Sequence, residues 1–158
     1  MSSDSVLKLK ENKEREWNYM AKENKLLVIE DSKEDFEIML RAFREGATSL
    51  ELAHVTTGDK AFEYLEQKGE FHSEDKPAIV LLDLSLPGMS GLEFLQLIKS
   101  NFDFKDIPVI VFTGSQSKQD IQECKSLGAY RVLEKPKNYW DFKEMAKKIS
   151  ELIKDLKR

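Results

Sequence analysis

Residues 25–31 read Lys25-Leu26-Leu27-Val28-Ile29-Glu30-Asp31, and residues 78–83 read Ala78-Ile79-Val80-Leu81-Leu82-Asp83. Each is an unbroken apolar run that stops at a carboxylate. Short runs without polar alternation suit strands buried on both faces, as in a parallel sheet. Leu50 to Val55, Val109 to Phe112 and Tyr130 to Leu133 give three more strands. Val109–Phe112 ends at Thr113, and Tyr130–Leu133 runs into Glu134-Lys135-Pro136. Between the strands the apolar period changes to that of a helix. Phe36, Met39, Leu40 and Phe43 share one helix face, closed by Gly46. Residues 59–67, 91–100 and 118–126 read as further helices, the last closed by Gly128. A final helix over 139–157 shows Phe142, Met145, Ala146, Ile149, Leu152, Ile153 and Leu156 on one stripe, with a basic outer face. Residues 68–76 are polar and read as a loop.

Strand–helix alternation five times over predicts an α/β domain, a parallel sheet with helices on both faces. Right-handed crossovers leave few topologies. The commonest five-strand solution is the flavodoxin-like (βα)5 doubly wound parallel sheet, strand order 2-1-3-4-5. Residues 1–24 differ from the rest. They are polar and mixed in charge, with Trp17, Met20 and Ala21 at helical spacing and a weaker stripe of Val6, Leu7 and Leu9. They predict a short N-terminal helical extension, with the domain proper over 25–158.

A length of 158 residues is one domain's worth. With 25 basic and 29 acidic residues, the net charge of −4 lacks the basic excess that nucleic-acid binding by charge needs. One cysteine, Cys124, excludes an internal disulfide framework and a cysteine-only zinc site, and reads as a packed thiol. Two histidines, His54 and His72, exclude a His-rich metal site and read as solvent-facing. No apolar run reaches the ~18–20 residues of a membrane helix, and the first ten residues are too charged for a secretory signal. The expectation is a soluble, cytoplasmic chain, bound to neither nucleic acid nor membrane.

In open α/β sheets, ligands sit beyond the carboxyl ends of the strands, near a topological switch point. Glu30 and Asp31 stand after the first strand, Asp83 after the third, Thr113 after the fourth and Lys135 after the fifth. The predicted order brings all five to one edge. Clustered carboxylates raise one another's pKa unless a cation is present. A hard divalent cation such as Mg²⁺ resolves the conflict with oxygen ligands. Carboxylate, cation, ammonium and hydroxyl together suit a phosphoryl group. No Walker loop is present to hold a nucleotide. A carboxylate that itself attacks phosphorus, making an aspartyl phosphate, fits better.

The ordered fragments Leu-Leu-Val-Ile-Glu-Asp (26–31), Leu-Leu-Asp-Leu-Ser-Leu-Pro-Gly-Met-Ser-Gly (81–91), Val-Phe-Thr-Gly-Ser (111–115) and Leu-Glu-Lys-Pro (133–136) resemble the receiver domain of two-component response regulators. Residues 68–77 and 100–108 look like those of the short single-domain regulators that accompany bacterial phytochromes. The resemblance implies that Asp83 is the phosphoacceptor, on a protein that supports its own phosphorylation and dephosphorylation without being an enzyme. It implies Mg²⁺ on Asp31, Asp83 and the Ser85 backbone carbonyl, with Glu30 acting through a water. Thr113 would bond a phosphoryl oxygen, Lys135 would ion-pair with the phosphoryl group, Gly114 would leave the site open, and Lys135–Pro136 would be cis. The implied donor is a sensor histidine kinase. The output would be a phosphorylation-dependent protein surface for an unknown downstream protein, or for a homodimer through helix 118–126, strand 130–133 and helix 139–157.

The sequence departs from the family pattern at Val132, where an aromatic residue is usual three positions before the lysine. Either Tyr130 replaces it, on the same strand face by alternation, or the signal reaches the surface directly. Glu30 where Asp is common is a milder change. The rival reading is a receiver-like binding module that works without phosphorylation. An aspartyl-nucleophile phosphatase would want an acid where Ser85 stands. A flavin carrier would meet repulsion between its phosphate and Glu30-Asp31.

Overall fold

The computed structural model describes residues 2–9, 21–46, 49–114 and 117–156. Strands β1 (Ala21–Ile29), β2 (Glu51–Val55), β3 (Lys76–Asp83), β4 (Val109–Thr113) and β5 (Arg131–Glu134) form one sheet. Its order is β2-β1-β3-β4-β5, and every pairing is parallel. Helices α1 (Lys33–Glu45), α2 (Gly58–Leu65), α3 (Gly91–Ser100), α4 (Lys118–Ser126) and α5 (Tyr139–Leu156) each follow a strand in turn. This is the flavodoxin-like architecture that the alternation predicts. Among the described residues no helix is long and apolar enough to cross a membrane.

The apolar runs bury both of their faces because successive side chains point to opposite sides. Leu27, Ile29, Val80, Leu82, Val109 and Val111 pack with Ala61, Tyr64, Leu65, Phe94, Leu95, Ile98 and Cys124, which come from α2, α3 and α4. Leu26, Val28, Ile79, Leu81, Ile110 and Phe112 pack with Met39, Ala42, Phe43, Phe142, Met145, Ala146 and Ile149, from α1 and α5. The sheet therefore separates two cores. Hydroxyl caps start four of the helices just past the strand ends. Ser32, Thr57, Ser90 and Ser117 accept from the amides of Asp35, Lys60, Glu93 and Asp120, each worth about 1 kcal/mol. At α3 the Glu93 carboxylate also accepts from the Ser90 amide, closing a capping box.

Three details differ from the sequence expectation. β1 begins at Ala21 rather than Lys25, and Ala21 and Lys22 pair with Lys76 and Pro77 ahead of a register shift. The strand there is held by backbone pairing and by Lys22, whose ammonium lies 2.9 Å from Glu51 and 3.5 Å from Asp75. A polar stretch held in this way carries no apolar alternation. Of the predicted extension, residues 3–9 are helical, and Trp17 and Met20 lie outside the described residues. Tyr130 is not on the same face as Val132. β5 starts only at Arg131, so Tyr130 precedes the regular alternation and packs with the α1/α5 core, while Val132 packs with the other. No described peptide bond is cis, so Lys135–Pro136 is trans, the form that X–Pro bonds still favour by about 0.5–1 kcal/mol.

The turn between β3 and α3 has no spare room. A Cβ at Gly91 would lie 2.5 Å from Leu84 Cα and 2.8 Å from the Asp83 carbonyl oxygen, both backbone atoms that cannot swing aside. Gly88 in the same turn has φ +69°, a conformation that glycine adopts without cost. Gly91→Ala should destabilise the fold by about 1–3 kcal/mol, the usual penalty for overpacking, as read from the urea midpoint. An unchanged midpoint would show that the turn has slack.

Candidate functional site

The carboxyl edge of the sheet gathers the predicted residues. Glu30 follows Ile29, and its amide donates to the Val55 carbonyl at 3.1 Å, so the β1–β2 ladder extends to it. The Glu30 side chain continues the buried side of Val28 and is sealed from solvent, whereas Asp31 turns outward and is exposed. Asp83 closes β3 and is buried. One carboxylate oxygen from each of Glu30, Asp31 and Asp83 lies within 4.8 Å of the other two. Thr113 closes β4 and is buried; its carbonyl accepts from the Lys135 amide at 2.8 Å, tying the end of β4 to the residue after β5.

Lys135 brings the counter-charge. Its ammonium lies 2.9 Å from Asp83 Oδ2, 3.2 Å from Glu30 Oε2 and 3.3 Å from Asp35 Oδ2. It also stands 5.8 Å from the centre of the Phe112 ring. The Ser85 amide donates to Asp83 Oδ1 at 3.0 Å, so the two Asp83 oxygens have different partners. The Ser32 amide donates to Glu30 Oε1 at 3.1 Å. Glu30 Oε2, near Lys135 but out of line for a hydrogen bond, is buried with no hydrogen-bond partner.

Burial, reinforced by the Asp83 charge, pushes the Glu30 carboxyl up to about 8, against the pull of the Ser32 amide and Lys135. Burial alone would lower the Lys135 ammonium; the hydrogen bond and charge of Asp83, then those of Glu30, outweigh it and hold Lys135 above its ordinary value. The donor set suits a divalent cation. Three hard oxygen donors converge, and Glu30 Oε2 is buried with no hydrogen-bond partner.

Two side chains enter the site's surroundings without having been expected there. Asp35 sits in the first turn of α1, three residues after the cap Ser32, and its carboxylate reaches Lys135. His54 is not solvent-facing. Its ring stacks on Phe36 at 4.0 Å with planes 9° apart, and its Nε2 lies 2.7 Å from the Glu30 carbonyl oxygen. A carbonyl can only accept, so that nitrogen carries the proton. His72 is exposed, with Nδ1 3.1 Å from the Gly69 carbonyl oxygen. Cys124 is buried in the α2–α4 core, as expected.

Residues 26–149 match the response regulator receiver domain. The chain belongs to that family. The response regulator Rcp1 of Synechocystis sp. is 35% identical to this receiver over 124 residues, 78% of this chain and 84% of Rcp1. The structure of the phosphorylated cyanobacterial phytochrome response regulator RcpA is 32% identical. It superposes with a TM-score of 0.74, covering 82% of this chain and 92% of the other. The Mn²⁺-bound form of Rcp1 is 34% identical, with a TM-score of 0.71 over 80% and 91% of the two chains.

The raised Glu30 carboxyl makes the receiver's stability depend on pH. Its unfolded form ionises near the ordinary carboxylate value of 4.5 and its folded form near 8. In that window the folded state binds more protons, so the Glu30 contribution is present at low pH and is lost as pH rises through about 8. Metal-free protein should show a lower melting temperature at pH 8.5 than at pH 6, and Glu30→Gln should flatten that slope. A native slope no steeper than that of the Gln variant would contradict the assignment.

Proposed function

We propose that this receiver accepts a phosphoryl group on Asp83 from a phosphohistidine of a sensor kinase and signals through a phosphorylation-dependent protein surface. The observation that carries the reading is the Asp83 carboxylate, buried at the end of β3 with one oxygen on the Ser85 amide and the other on Lys135. An Asp83 oxygen attacks phosphorus, the bond from phosphorus to the histidine nitrogen breaks, and the nitrogen keeps the electron pair. Lys135 neutralises charge on the transferred group, and the Thr113 hydroxyl bonds one of its oxygens. Water then cleaves the acyl phosphate, returning the carboxylate and inorganic phosphate without a separate enzyme. Glu30, Asp31, Asp83 and the Ser85 carbonyl would hold Mg²⁺. When bound, the ion supplies charge neutralisation at the phosphoryl oxygens.

The output reading follows from the link between Lys135 and Thr113. A Lys135 drawn toward a phosphoryl group acts on the ends of β4 and β5 together. The surface beside them, α4, β5 and α5, is the proposed contact for a downstream protein or a second copy of the chain. With Val132 in place of an aromatic and Tyr130 on the other core, an inward-swinging ring is not part of this switch.

Acetyl phosphate with Mg²⁺ should label the native protein, and labelling should be lost in Asp83→Asn and on chelation of the metal. Light scattering of the labelled protein reads whether mass changes with modification. Absence of label in native protein under saturating Mg²⁺ would remove the phosphoacceptor role and leave the phosphorylation-independent binding module.

A further inference from the structure

Lys135 has three carboxylates within 3.3 Å, from Asp83, Glu30 and Asp35. A bond from one Asp83 oxygen to an incoming anion removes that carboxylate's charge, so the anion takes the Asp83 place on Lys135 and competes there with Glu30 and Asp35. The three are not equal. The Glu30 and Asp83 side chains are 0% and 2% exposed and stand at strand ends. The Asp35 side chain is 37% exposed and lies in the first turn of α1. There water can replace Lys135 as its partner, and the helix N-terminus favours a negative charge even without an ion pair. Releasing Asp35 is therefore the exchange that costs least.

We propose that Asp35 is a positioning residue that competes with the phosphoryl group for Lys135. It holds the ammonium in the resting state and is the partner given up when Asp83 is modified. This rests on Asp83 as the phosphoacceptor. It assigns Asp35 a part in setting how readily the site fills, acting through Lys135 and not through contact with the transferred group.

Beryllofluoride, a tetrahedral anion that mimics an acyl phosphate, tests this by fluorine NMR or calorimetry at saturating Mg²⁺. Asp35→Asn should bind it roughly threefold to fivefold more tightly, the upper part of the range for a half-exposed ion pair. Asp35→Glu, which keeps the charge, should stay within about twofold of native. Glu34→Gln removes the same charge from the neighbouring position of the same turn, where the side chain is exposed, and should also stay within about twofold. Equal affinity in native protein and Asp35→Asn would overturn the proposal. So would an equal gain in Glu34→Gln, which would mark the effect as general repulsion and not competition for Lys135. Native protein that neither binds beryllofluoride nor takes label from acetyl phosphate would overturn the phosphoacceptor reading and this inference with it. Native binding with no gain in Asp35→Asn would overturn only the inference.

Discussion

One ammonium faces four carboxylates at the carboxyl edge of the sheet. Lys135 touches three of them, Glu30, Asp35 and Asp83, and Asp31 completes the cluster. In water such a group would repel and ionise without consequence. Here Glu30 and Asp83 are buried, so each charge keeps much of its influence on the others. That repulsion helps hold the Glu30 carboxyl above its ordinary value, and a cation bound at the cluster would relieve it. It also makes the position of a single lysine decisive, because the residue after β5 supplies the positive charge that touches these carboxylates.

Much of this was readable from the chain. Apolar runs ending in carboxylates marked the strand ends, and the alternation with helices left one common strand order. That order was enough to bring Glu30, Asp31, Asp83 and Lys135 together before any coordinates. The bounds of α3 and α4 also follow directly, because Ser90 and Ser117 cap them. The first residues of β1 could not be read. Ala21 to Asn24 are held by backbone pairing and the ion pairs of Lys22, which leave no hydrophobic period. Tyr130 departs from the period-two pattern because it stands one residue before β5 begins. His54 was missed because its partner is a main-chain carbonyl, which no residue pattern announces. Asp35 stands in the first turn of α1, close in sequence to Glu30 and Asp31, but nothing local says that Lys135 will reach it.

The two cores give the site its reach. Glu30 and Asp83 sit where strands β1 and β3 leave the sheet, and each strand packs one set of side chains against α1 and α5 and the other against α2, α3 and α4. Close-packed interiors pass a shift from one side chain to the next instead of absorbing it. A change at the edge can therefore be felt on either face. Asp35 connects the site to α1, and the hydrogen bond between the Lys135 amide and Thr113 connects it to β4 and β5.

The spacing of the charges along the chain has a consequence for synthesis. Asp83 and Lys135 are 52 residues apart, and Glu30 and Lys135 are 105 apart. A ribosome adding about 5–20 residues per second makes Asp83 roughly 3–10 s, and Glu30 roughly 5–20 s, before the lysine that neutralises them. During that interval β1 and β3 can pair and begin to bury their apolar faces, but their carboxyl ends have strong reason to stay wet. The edge that will hold the chemistry is thus the last part of the nascent sheet to dry, and the arrival of the fifth strand closes it.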